Sequence, residues 1–89
     1  MAEAIIIKEY GGPEVLRLNT INVGKPDPDE VKIKHTRIGV NFHDVYVRSG
    51  LYKTLSLPGI PGIEAVGVIE ELGSQVSNFK PGDRIAYIT

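Results

Sequence analysis

Apolar positions along this chain come in short β-branched or alternating runs separated by glycine and proline, which is the pattern of strands and turns. AEAIIIKEY at 2–10 stops at the dense turn signal Gly11-Gly12-Pro13. VLRLNTINV at 15–23 follows, with Leu16 and Leu18 alternating with Arg17 and Asn19, and the two runs predict a hairpin. GKPDPDE at 24–30 reads as a surface connection, since its prolines remove backbone donors and its acids favour turns. EVKIKHTRIGV at 30–40 sets Val31 and Ile33 against Lys32 and Lys34, as a half-buried strand does. LSLPGIPG at 55–62 is a proline-punctuated loop. IEAVGVIEELG at 63–73 predicts a strand in which Gly67 marks a bulge or a close backbone approach. Val76 and Phe79 are the expected apolar anchors of the next loop, before the chain turns at Pro81-Gly82-Asp83 into a last strand. That strand runs to Thr89 without a terminating turn, so the chain is expected to be cut off rather than finished.

One stretch departs from this pattern. GVNFHDVYVRSGLY at 39–52 crowds an amide, a histidine, an aspartate, an arginine and two tyrosines together, and it holds the one predicted helix, 41–50. Asn41 is a favoured N-cap, and Asp44 three residues later completes a box-like cap at the positive end of the helix dipole. Gly50 is placed to stop the helix. Phe42, Val45, Tyr46 and Ser49 share one face, and Asp44 and Arg48 stand at i,i+4 with the acid on the favoured side. Capping and pairing therefore give much of the cluster a structural role.

Composition removes several functions. A chain of 89 residues makes at most one small domain, and ten Gly with six Pro favour turns over long helices. Ten basic against eleven acidic residues leave a net charge of −1 and no basic stripe, so neither nucleic acid nor an anionic membrane is an expected partner. No run approaches the ~20 apolar residues of a membrane helix, and with no apolar leader a cytoplasmic location is the default expectation. There is no cysteine, hence no thiolate site, and there are only two histidines. His43 and Asp44, being adjacent, would point about 100° apart on a helix, and His35 reads as a surface or packing residue of a strand. No metal site is expected. Neither a Ser-His-Asp arrangement nor the strand, glycine loop and helix of a phosphate-binding fingerprint is in place.

YGGPEVL at 10–16, GVNFHDVYVRSGLY at 39–52, LPGIPGIEAVGVIEELG at 57–73 and FKPGDRIAY at 79–87, in this order and spacing, closely resemble the start of the zinc-independent quinone oxidoreductases. These form the zeta-crystallin branch of the medium-chain dehydrogenase/reductase superfamily. The resemblance implies a mainly β fold: a GroES-like, partly open β-barrel with one short helix, here the incomplete N-terminal catalytic domain spanning 1–89. It also implies NADPH-dependent reduction of quinones or related α,β-unsaturated carbonyls, by a parent protein that is a cytoplasmic homodimer. In the zinc alcohol dehydrogenase branch the position of Asn41 is a metal-binding cysteine, and that of Ile63 is a metal-binding histidine. An amide and an aliphatic side chain cannot replace them, which implies chemistry without zinc. Glu64, the next residue, remains; of a buried functional role and structural hydrogen bonding, the latter is the expectation in a metal-free relative.

Carried over to matching positions, Asn41 and Tyr46 are expected to contact the nicotinamide end of NADPH. Tyr52 is expected to be a wall or hydrogen-bond donor of the substrate cleft, since a quinone is planar, apolar and rimmed by acceptor oxygens. The quinone branch usually has an aliphatic residue where this chain has His43. A histidine there is either a proton source after hydride transfer or an ordinary exposed helix residue. The rest of the cofactor site, on a Rossmann domain with its glycine-rich turn, is expected beyond Thr89. The segment alone is accordingly expected to lack reductase activity and to bind NADPH weakly. A reading of a different class is a free-standing GroES-like module that binds a protein partner and does no chemistry.

Overall fold

The computed structural model describes residues 1–89, which form two compact units. The first unit comprises Met1–Val23 and Val40–Gly62, and the second Gly24–Gly39 and Ile63–Thr89. Their strands fall into separate hydrogen-bonded sheets, so no closed barrel forms.

In the first unit, β1 (Ala2–Ile6) and β2 (Arg17–Ile21) pair antiparallel from Ala2 opposite Ile21 to Ile6 opposite Arg17, which is the predicted hairpin. Its connection includes a single 3₁₀ turn at Pro13–Val15, where proline at the first helical position gives up only a donor that would have been orphaned. The chain beyond β1 stays extended long enough for Ile7 to form an isolated bridge with Gly59, at 2.9 and 3.0 Å, within the proline-rich loop. That loop contains a cis Leu57–Pro58 bond. The helix α1 (Phe42–Ser49) also belongs here. Ile7, Val15 and Val47 are the buried apolar residues of this unit, and Ile7 is fully enclosed.

The second unit is one antiparallel sheet, ordered β3 (Val31–Ile38), β4 (Glu64–Leu72), β5 (Arg84–Ile88). β4 is central and carries the buried Ala65 and Ile69. The expected alternation in β3 is interrupted, because Lys32 pairs with Glu71 but Ile33 with Ile69, and His35 with Gly67 but Arg37 with Val66. Glu70 and Thr36 are thus the extra residues of two bulges, which twist the pair. Gly67 lies at the second of them as predicted, and a Cβ there would come within 2.5 Å of the Lys34 carbonyl oxygen. Close strand approach, rather than a turn, is what requires glycine at 67.

The turn before β5 is closed by Asp83, whose Oδ2 accepts the Lys80 N–H at 2.9 Å while Oδ1 lies 3.3 Å from the Lys80 ammonium. The Lys80 backbone hydrogen bond, aided by that side chain, holds the Asp83 carboxyl below its ordinary pKa. Phe79 does not anchor the loop as expected. It is 42% exposed, because the turn is fixed by these polar contacts instead.

Candidate functional site

Helix α1 begins where the sequence predicts. Asn41 is its N-cap in extended conformation, and in the capping box Asp44 Oδ2 accepts the Asn41 N–H at 2.8 Å while the Asn41 side chain faces the Asp44 N–H, which also donates to the Asn41 backbone carbonyl at 3.0 Å. Gly50 ends it in the left-handed region, φ 88°. The expected Asp44–Arg48 pair does not form. The Asp44 carboxylate is turned toward the cap, and the Arg48 guanidinium instead donates to the Gly11 carbonyl at 3.1 Å. Gly11 N–H returns a bond to the Arg48 carbonyl at 2.9 Å, so the Gly-Gly-Pro turn and the end of the helix are clamped twice. This clamp was not legible in the sequence, where i,i+4 spacing was the stronger signal.

The face of α1 that carries Phe42, Val45, Tyr46 and Ser49 is its exposed one, with Phe42 at 80%. Val47 is the buried residue, and His43 and Asp44, one turn before it, are half-buried. His43 is therefore not an ordinary exposed helix residue. Its ring centroid lies 5.7 Å from that of Tyr52, tilted by 36°, and Tyr46 meets Tyr52 edge-on at 5.6 Å. Both are favourable aromatic geometries. Tyr52 is brought to this position by the chain just after the helix, where the Leu51 and Tyr52 N–H groups donate to the Tyr46 carbonyl at 2.9 and 3.3 Å.

Three polar atoms in four residues are withdrawn from water without a hydrogen-bond partner: Asn41 Nδ2, His43 Nδ1 and Asp44 Oδ1. An orphaned buried polar atom costs about 1–3 kcal/mol, so a cluster of them marks a place the fold has not optimised for its own stability. The set offers an amide donor, a carboxylate acceptor and an imidazole, with two tyrosine rings alongside. All four residues expected at a site, Asn41, His43, Tyr46 and Tyr52, thus belong to one unit and to one helix with its following turn, and the ring contacts join His43, Tyr46 and Tyr52 directly.

The second unit carries different features. His35 Nε2 lies 2.9 Å from the Tyr87 hydroxyl on the surface of the sheet, which agrees with a packing role for His35. A shallow groove of about 660 Å³ runs along β3, β4 and β5, lined mainly by Ile38, Ala65, Val66, Ala86 and Ile88 with Arg37 and Glu64 as its charged residues. None of the four expected site residues lines it. Glu64, expected to be held by hydrogen bonds, has none on its carboxylate; its side chain instead packs over Gly39, which has no Cβ to obstruct it. No group of three or more His, Cys, Asp or Glu side chains is arranged to hold a metal ion.

A short helix with clamped ends and two small antiparallel sheets define a GroES-like domain. The alcohol dehydrogenase GroES-like domain family matches residues 27–89, and the chain belongs to that family. It is 47% identical over 89 residues to a quinone oxidoreductase of Pseudomonas aeruginosa, covering 100% of this chain and 27% of the relative. It is 39% identical over 88 residues to a 2-haloacrylate reductase of Burkholderia, covering 96% of this chain and 26% of that protein. The structure of the Escherichia coli quinone oxidoreductase complexed with NADPH superposes with a TM-score of 0.93 at 41% identity, over 98% of this chain and 27% of that one. The chain thus spans about a quarter of the length of the relatives it matches. No helix is long and apolar enough to cross a membrane.

Proposed function

We propose that this chain is the N-terminal part of an NADPH-dependent quinone oxidoreductase that reduces quinones or α,β-unsaturated carbonyls without zinc. The observation that carries this reading is the unpartnered Asn41 amide at the start of the helix whose His43 and Tyr46 rings meet Tyr52, in a chain so similar to quinone oxidoreductases. The residues fit the nicotinamide end of the cofactor. Asn41 Nδ2 is a shielded donor awaiting an acceptor, and Tyr46 offers a half-exposed ring and a hydroxyl. NADPH, when bound, supplies the hydride. Zinc is not supported by the donor set: with Asn41 and Ile63 at the two positions where the zinc branch has cysteine and histidine, no thiolate and no third ligand are present.

In this reading Tyr52 forms the wall against which a planar quinone lies, and its hydroxyl donates to one quinone oxygen. That hydrogen bond stabilises the negative charge that develops on oxygen as the carbonyl is reduced. His43 supplies the proton that converts this oxyanion to a hydroxyl. With Nδ1 shielded, the transferable proton is the one on Nε2 of the imidazolium, which is left neutral with its remaining proton on Nδ1, and water restores the one given up.

Two variants of the full-length protein test the assignment. Asn41→Asp keeps a good N-cap but removes the amide donor, and should weaken NADPH binding about tenfold, read by nicotinamide fluorescence titration. His43→Ile should lower kcat about tenfold while leaving the NADPH affinity unchanged, a smaller loss than usual for a general acid because water can also protonate a phenolate-like oxygen. Unaltered NADPH affinity in the first variant would count against the cofactor contact and favour a binding module without catalysis.

A further inference from the structure

The segment that follows Tyr52 is loosely tied. The Tyr52 N–H reaches the Tyr46 carbonyl at 3.3 Å, and Gly59 is bridged to Ile7, but between these points residues 53–58 take part in a single hydrogen bond. It is donated by the Tyr10 hydroxyl to the Leu55 carbonyl at 3.3 Å and is partly buried. The same Tyr10 meets this stretch twice more. Its ring packs against Gly50 so closely that a Cβ at Gly50 would lie 3.1 Å from Tyr10 Cβ and Cγ. The Lys53 ammonium sits 5.8 Å from its ring centroid, in cation–π range. Tyr10 therefore grips the chain on both sides of Tyr52, while its own backbone is fixed one residue on by the two hydrogen bonds between Gly11 and Arg48.

We infer that Tyr10 is a positioning residue, which holds the turn at 50–55 so that the Tyr52 ring stays against Tyr46 and His43. The inference rests on the proposed role of Tyr52 as the substrate wall. The physical cause is the sparse bonding of the segment: with no other hydrogen bond between Tyr52 and Gly59, losing the hydroxyl contact frees the peptide units beside Tyr52. At 3.3 Å the bond is longer than the usual O–H···O spacing of about 2.7–2.8 Å, which sets the expected effect at the low end.

The test is Tyr10→Phe in the full-length protein, a change that keeps the ring against Gly50 and removes only the hydroxyl. Amide exchange of a peptide covering 50–57 should quicken, and KM for 1,4-benzoquinone should rise about 2- to 5-fold, with NADPH affinity unchanged. A residue that merely supported the fold would lower all activities together. Unchanged exchange overturns the inference, whether or not KM moves. Faster exchange without a KM change overturns it if Tyr52→Ala does raise KM. If Tyr52→Ala also leaves KM unaltered, the substrate-wall reading has failed, and faster exchange alone upholds the positioning of Tyr52. Tyr10→Leu, which removes the ring as well, should produce a larger KM rise in the same direction.

Discussion

Ile69→Ala is expected to destabilise the fold by about 2–5 kcal/mol, the cost of deleting a fully buried aliphatic side chain and leaving a cavity. Ile69 is 1% exposed, in the central strand of the three-stranded sheet. Its backbone is committed as well, with its N–H donated to the Asp83 carbonyl at 2.9 Å and its carbonyl accepting from Gly82 at 2.8 Å. Those bonds hold the strand in place, so the neighbours cannot collapse into the space a smaller side chain would leave. Ala65 and Ile69 are the buried apolar side chains of this unit, and a loss of this size is a large part of the 5–15 kcal/mol typical of a whole domain. Urea unfolding should show the midpoint falling at unchanged slope. Leu18→Ala, at a position 64% exposed, provides the contrast and should stay within about 0.5 kcal/mol of the parent. A loss below 1 kcal/mol at Ile69 would mean that water or rearrangement already relieves the site.

The elements were largely legible because each is announced by local chemistry. The Asn41 cap and the Gly50 stop depend on residues within a few positions of one another, and both stand in the structure where the pattern places them, while the glycine at 67 by itself marks the close approach of β3. What was hidden depends on partners distant in the chain. Arg48 had a suitable acid one turn away, yet the carbonyl of Gly11, 37 residues earlier, took its guanidinium, because the cap had already claimed Asp44. The same limit applies to the helix face. Periodicity grouped Phe42, Val45 and Tyr46, but not which way that group points, and the structure turns it outward. Of the candidate site, Asn41, His43, Tyr46 and Tyr52 are the residues the motif proposes. Tyr10 was not, since its importance lies in Gly50, Lys53 and Leu55, more than 40 positions away in two of the three cases.

Tyr52→Ala in the full-length protein is expected to lower kcat/KM for 1,4-benzoquinone about a hundredfold without weakening NADPH binding. Tyr52 does little for its own unit. The residue is 46% exposed, its hydroxyl makes no hydrogen bond, and its ring is met by only the Tyr46 edge and the tilted His43 ring. Removing it should therefore leave the fold intact, so that any loss of turnover belongs to the site. A ring face covered by a quinone would exclude roughly 100 Å² of apolar surface from water, about 2.5 kcal/mol, or nearly two decades in affinity for the bound species. Tyr52→Phe keeps that face and removes only the donor, and should cost about five- to tenfold, mostly in kcat, because a hydrogen bond to the developing oxyanion is strongest in the transition state. The two variants thus separate the wall from the donor: a large effect of alanine with a small one of phenylalanine assigns binding to the ring, and equal effects assign catalysis to the hydroxyl. Full turnover in both would remove Tyr52 from the site and with it the wall against which the quinone is proposed to lie.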